Sequence, residues 1–150
     1  MALSAATFIS DSTLFLRDGL DSNITDPITS LRTGRERFVM TSYPKRGVKY
    51  PIITIRSTNP RNDKRLGMQS EGMWIFLPFE IRIWARNEKE KDELTQEVLT
   101  YLRTNQFGTG SSVDFGLHDF TWNSSVDVDE DGEEGIKSRV IEIQYKTDII

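Results

Sequence analysis

The most constraining stretch of this sequence is a strict alternation followed, with no linker, by a capped amphipathic helix. Phe79, Ile81, Ile83 and Ala85 fall on one side of an extended chain, and Glu80, Arg82, Trp84 and Arg86 on the other. A period of two residues with one apolar side is the signature of a strand that buries one face. Asn87 then offers an N-cap, with Glu90 at the third helical position and acids in the first turn, where the helix dipole favours them. The spacing of Leu94, Val98, Tyr101 and Leu102 predicts a helix over Asn87–Thr104 with a narrow apolar stripe, suited to lying across one side of a sheet.

The flanking segments extend this unit. Asp11 or Ser12 is expected to cap a first helix reaching about Asn23, with Leu14, Phe15, Leu20 and Ile24 as its apolar stripe and Gly19 as a weak point. Phe38–Ser42 and Tyr50–Arg56 read as strands of a hairpin joined through Tyr43–Gly47, whose Pro and Gly suit a turn. Segment 57–70 has Pro60, Gly67 and no apolar periodicity, so a long exposed loop is expected there. Its length implies use, because structureless loops beyond about 12 residues are uncommon. Asp119–Asn123 and Ile136–Tyr145 are expected strands around an exposed acidic loop near 124–135. The order of elements favours a single α+β domain over 1–150, with a mostly antiparallel sheet and helices packed on one face.

Composition narrows the function classes. The 150 residues are 37% hydrophobic and 28% charged, enough for a packed core, and contain no cysteine. A disulfide scaffold, a thiol nucleophile and a thiolate metal site are thereby excluded. The longest apolar stretch is Met73–Phe79, seven residues, against the roughly 20 needed to span a bilayer. MALSAATFISD lacks the positive and apolar regions of a secretory signal and is expected to be mature protein.

Charge is strongly segregated. Arg32–Arg65 holds ten Lys and Arg against Glu36 and Asp63, while Asp119–Glu134 holds seven acids and no base. The basic segment 32–65, with Tyr43 and Tyr50 for stacking, is one candidate nucleic-acid surface. The acidic pI and the lack of a recognition-helix or RNP pattern favour pairing with an acidic neighbouring subunit instead. Two opposed patches on one chain suit head-to-tail association.

Chemical motifs are sparse. Asp127, Asp129 and Asp131 before Gly132 match the first half of a calcium loop, yet position twelve is Ser138 rather than Glu, and strands are expected on both sides, so an acidic turn is the expectation. His118 is the sole histidine and no serine lies in G-x-S-x-G, so no catalytic triad is expected. Gly108–Ser112 lacks the Lys and spacing of a phosphate loop. The aromatics Trp74, Trp84 and Trp122 are expected in the core or at an interface, with Trp84 as the interface candidate. No cofactor is expected.

Across more than a third of the chain, YPIITIRS, a polar loop and WIFLPFEIRIWARNEKEKDELTQEVLTYLRTNQF resemble the tail terminator and tail completion proteins of tailed viruses. In that family a strand runs directly into an amphipathic helix, on which Glu90, Leu94 and Val98 sit accordingly, and the closing strand IKSRVIEIQYKTD is similar too. The resemblance implies a structural virion protein of the tail–neck region, assembled in the host cytoplasm. A homo-oligomeric, hexameric ring would cap the tail tube protein and present its other face to a head-side connector or stopper protein. No enzyme activity is implied. On this reading Arg61, Lys64 and Arg65, together with Asp129, Asp131, Glu133 and Glu134, are the expected ring contacts, with Trp84 as an anchor. A head completion or stopper protein is the nearest alternative.

Overall fold

A computed structural model describes residues 3–32, 36–42, 49–66, 72–128 and 135–149, with the backbone alone for 63–66 and 72. Its elements are α1 (Phe8–Asn23), a 3-10 turn (Thr29–Leu31), β1 (Val39–Met40), β2 (Ile52–Ser57), β3 (Arg61–Leu66), β4 (Gly72–Ala85), α2 (Glu88–Thr104), α3 (Ser112–Phe115), β5 (His118–Val128) and β6 (Lys137–Ile149). The strands form one mixed, mostly antiparallel sheet in the order β1-β2-β4-β6-β5, with β3 beside β4. The fold is α+β, as the order of elements predicts.

β4 is the axis of the sheet. Every residue from Met73 to Ala85 pairs with β6, from Ile149 to Lys137. Along its other side β4 takes β3 opposite Gly72–Phe76 and then β2 opposite Phe79–Trp84. The predicted alternation holds: Leu77, Phe79, Ile81, Ile83 and Ala85 are all buried. Most of them join Leu16, Leu20, Leu94, Val98 and Leu102 from the helices, and Ile53, Ile55, Ile141, Ile143 and Tyr145 from β2 and β6. Burying one such aliphatic side chain is worth about 1.5–3 kcal/mol. The opposite face of the sheet carries Phe76, Glu80, Arg82, Gln144 and Lys146 on the other parity of the same strands.

Helix α2 begins as the sequence predicts. Asn87 Oδ1 accepts from the Glu90 amide at 2.9 Å, and Glu90 Oε1 accepts in return from the amide of Arg86 at 3.1 Å. Helix α1 departs from expectation by starting at Phe8. Thr7 occupies the N-cap without a side-chain capping bond, and its hydroxyl donates to Asp11, which therefore lies inside the first turn. The buried stripe is Ser12, Leu16, Leu20 and then Ile24, at intervals of four, which leaves the expected Leu14 exposed.

Three other expectations are corrected. β1 runs parallel to β2, with Val39 opposite Ile53, so the pair is not a hairpin. The Arg32 guanidinium donates to the carbonyls of Lys49 and Pro51 and so draws the approach to β2 toward the end of the 3-10 turn. Within the expected loop 57–70, Arg61–Leu66 forms β3, because β4 extends well beyond the reach of β2 and its first half would otherwise be an unpaired edge. The expected loop 124–135 begins later, since Ser124–Val128 remains in β5 against β6. Its acidic part, 129–134, lies outside the described residues, as does 43–48.

Gly19 has a packing reason. A Cβ built there would lie 2.3 Å from the Tyr101 hydroxyl of α2, which accepts from Asn105 Nδ2 at 2.9 Å. The close approach of the two helices therefore depends on the missing side chain. Gly19→Ala is expected to lower unfolding free energy by about 1–3 kcal/mol through overpacking. In a Tyr101→Phe background the same substitution is expected to be close to neutral, because the ring carbon left 3.2 Å from the added Cβ is offset by about 1 kcal/mol of helix propensity. Urea melts of the four proteins of this cycle check the coupling.

Candidate assembly surface

The ends of α2, β5 and β6 meet in a chain of charges. Lys91 projects from α2 with 1% of its side chain exposed, its Nζ 2.7 Å from Glu88 Oε2 and 3.2 Å from Asp127 Oδ2. Arg139 of β6 reaches Asp127 through Nε at 2.8 Å and Asp92 at 3.0 Å. Its Nη1 also donates to Thr95 Oγ1, which itself donates to the Lys91 carbonyl. A buried ammonium is costly unless paired and hydrogen-bonded, and here both conditions hold. The result is a tie between the start of α2 and the outer end of the β5–β6 pair, just before the acidic segment 129–134.

The hydrogen bond from Arg139, reinforced by Lys91, holds the Asp127 carboxyl below its ordinary value. Burial alone would lower the Lys91 ammonium, but its bonds to Glu88 and Asp127 outweigh that effect and raise it. Asp127 also belonged to the candidate calcium pattern. To ligate a cation it would have to leave two others, and among the described residues no group of three metal-ligating side chains is assembled. Asp129 and Asp131 lie outside the described residues, as do the expected contacts Glu133 and Glu134.

The remaining predicted residues scatter. Arg61 lies on β3, donates to Gln144 Oε1 at 2.8 Å and sits over the Phe76 ring, which Lys146 also approaches. Lys64 and Arg65 follow it on the β3 backbone, at the opposite end of the sheet from Asp127. Trp84 is corrected as an anchor. It is 6% exposed, packs with Tyr50 and Ile52, and carries the Arg82 guanidinium 4.1 Å above its ring, so its area is already spent inside the subunit. His118 lies edge-on to Trp74 and 3.9 Å from Asp148.

The basic segment is not a uniform cationic surface either. Arg32 pairs with Asp26 at 2.6 Å, Lys49 with Glu36 at 3.6 Å, and Arg56 with Glu80 at 2.9 Å.

The sequence reading missed β5 as a sheet edge. Among the described residues no strand pairs outside β5 or outside β1, and β3 pairs with β4 alone. β5 carries Trp122 at 53% and Val126 at 56% exposure, large apolar side chains standing in water. The signal was present, because HDFTWNSSVDV is extended in character yet has no consistent apolar side, as fits a strand with a partner on one flank alone. Register shifts between His118 and Thr121 and between Trp122 and Ser124 distort its first half, whereas Ser124–Val128 pairs regularly. The clefts offer less: one of about 550 Å3, between the end of α1 and α2, is lined by Thr25, Glu93, Glu97 and Tyr101 without a nucleophile–base pair.

Compared with known protein families and with curated proteins, the sequence matches none.

The charge network makes a pH prediction. Asp127 has a lowered folded value, so its contribution is present above the unfolded value of about 3.9 and is lost as pH falls through the folded one. Lys91 has a raised folded value, so its contribution is intact below about 10.4 and is lost as pH rises through the folded one. Denaturant midpoints should be flat between these limits and fall on both sides. Asp127→Asn should lower the plateau and flatten the acid limb. An acid limb unchanged in the variant would show that Asp127 does not set it.

Proposed function

We propose that this chain is a structural assembly protein, one subunit of a ring that caps a viral tail tube, ends its polymerisation and forms part of the head–tail joint. The observation that carries the reading is the open sheet. Among the described residues β1 and β5, the two ends of the strand order, each lack a partner on their outer side, β3 is bordered by β4 alone, and the face away from the helices carries Glu80, Arg82, Gln144 and Lys146. Such edges are a liability in a protein that stays alone, and a resource in one that assembles. The sequence resemblance in Tyr50–Phe107, where β4 runs directly into α2, supplies the particular setting.

The mechanism is geometric. A ring of identical subunits joined head to tail has two unlike faces, so one can complement the end of a growing tube while the other refuses a further tube subunit and accepts a neck protein. Unequal faces are sufficient for termination, and no chemical step is needed. The same features serve a head completion or stopper protein, which differs in its partner rather than in its construction.

Nucleic-acid binding through segment 32–65 is the reading from another class. It is weakened by the pairing of Arg32, Lys49 and Arg56 with acids of the same chain. Light scattering and negative-stain imaging with the co-encoded tube protein separate these readings. Rings at tube ends are the expected result. A monomer that ignores tubes and binds DNA, with an affinity falling log-linearly in salt, would overturn it.

A further inference from the structure

We infer that the regular end of β5, Ser124–Val128, docks edge to edge on β1 of a second copy of this chain, continuing the sheet from subunit to subunit. The inference specifies the contact within the proposed ring and rests on that reading for its closed form.

Direction is the first argument. β1 is parallel to β2, and each further step to β4, β6 and β5 is antiparallel. β5 therefore runs opposite to β1. When a second copy is placed beside the first in the same orientation, the two facing edges meet as an antiparallel pair, the more favourable arrangement for short strands.

Register is the second. Val126 pairs with Val140, Val140 with Arg82, Arg82 with Thr54, and Thr54 with Met40. These residues lie in one row across the sheet. In a continued sheet Val126 of one copy stands opposite Met40 of the next, both on the face away from the helices. Val126 is exposed, and Met40 packs at the margin of the Tyr50, Ile52 and Trp84 cluster, so the pairing would extend that small apolar cluster across the junction. The irregular part of β5 ends at the Trp122–Ser124 shift, and the stretch level with β1 is the regular part.

Charge is the third. β5 runs from Asp127 into DEDGEE, while the segment from Arg32 to Lys49 around β1 holds six Lys and Arg against Glu36. Even with Lys49 set against Glu36, that segment stays net positive, and Arg37 beside β1 is exposed. In sequence, the strand at one edge continues into an acidic segment, and the strand at the other lies within a basic one. That complementarity selects a second copy as the occupant and rejects edge pairing between two like edges.

The absence of native cysteine makes cross-linking a clean test. Four strand spacings separate the two positions within one chain, roughly 19 Å, so an intramolecular bridge is excluded. Met40→Cys combined with Val126→Cys is expected to give a ladder of covalent multimers under mild oxidation. Each single variant should stay monomeric on the same non-reducing gel. Arg37→Glu, at an exposed position, is expected to lower the assembled fraction in light scattering several-fold. No ladder from the double variant, although the unmodified chain is multimeric, would overturn the edge contact and leave the ring standing. A covalent dimer from either single variant, or an assembled fraction untouched by Arg37→Glu, would also count against it. A chain monomeric at every concentration would overturn both.

Discussion

The β4–β6 ladder is the constraint on which the rest of this structure depends. Both strands are long, and their pairing is unbroken from Met73 opposite Ile149 to Ala85 opposite Lys137. One face of this ribbon is continuously apolar and must be covered, which fixes the position of both long helices. The length of β4 also exceeds what β2 can satisfy, and so calls β3 into the sheet beside its first half. What the ladder does not supply is closure. The strand order ends at two unlike strands, β1 and β5, with β3 beside β4 alone, and assembly can use the sides they leave open.

The Lys91, Asp127 and Arg139 network gives the β5 edge a fixed frame. It ties α2 to the outer end of the β5–β6 pair at the point where β5 becomes a regular edge. A strand end held in this way presents the backbone of Ser124–Val128 in one orientation, which lowers the entropy lost on docking. The same carboxylate that looked like a metal ligand in the sequence is thus a positioning group within the subunit.

How far the sequence could be read depended on how locally each element is specified. The alternation in Phe79–Arg86 and the Asn87–Glu90 cap are local patterns, and both stand in the structure. α1 was misplaced at its start because no side chain caps it. Its true stripe includes Ser12, a polar residue that a hydrophobic pattern passes over. β3 was hidden because its reason for existing is the overhang of β4, a property of the whole sheet and not of Arg61–Leu66. The parallel β1–β2 pair was hidden likewise, since Tyr43–Gly47 carries residues common in hairpin turns. Trp84 was misjudged because parity alone placed it on the polar side of β4, where Tyr50, Ile52 and Arg82 nonetheless bury it. Of the candidate site, the charge segregation was legible in the sequence, while the edges that give it meaning are products of topology.

If subunits join as proposed, the outer sides of β1 and β5 become interior on assembly. Hydrogen exchange by mass spectrometry, on the dispersed and the assembled protein, tests it most directly. Peptides covering Phe38–Ser42 and Ser124–Val128 are expected to slow markedly on assembly, while those within β4 and β6, already protected, stay unchanged. Assembly that leaves both edges exchanging as fast as in the free subunit would contradict it.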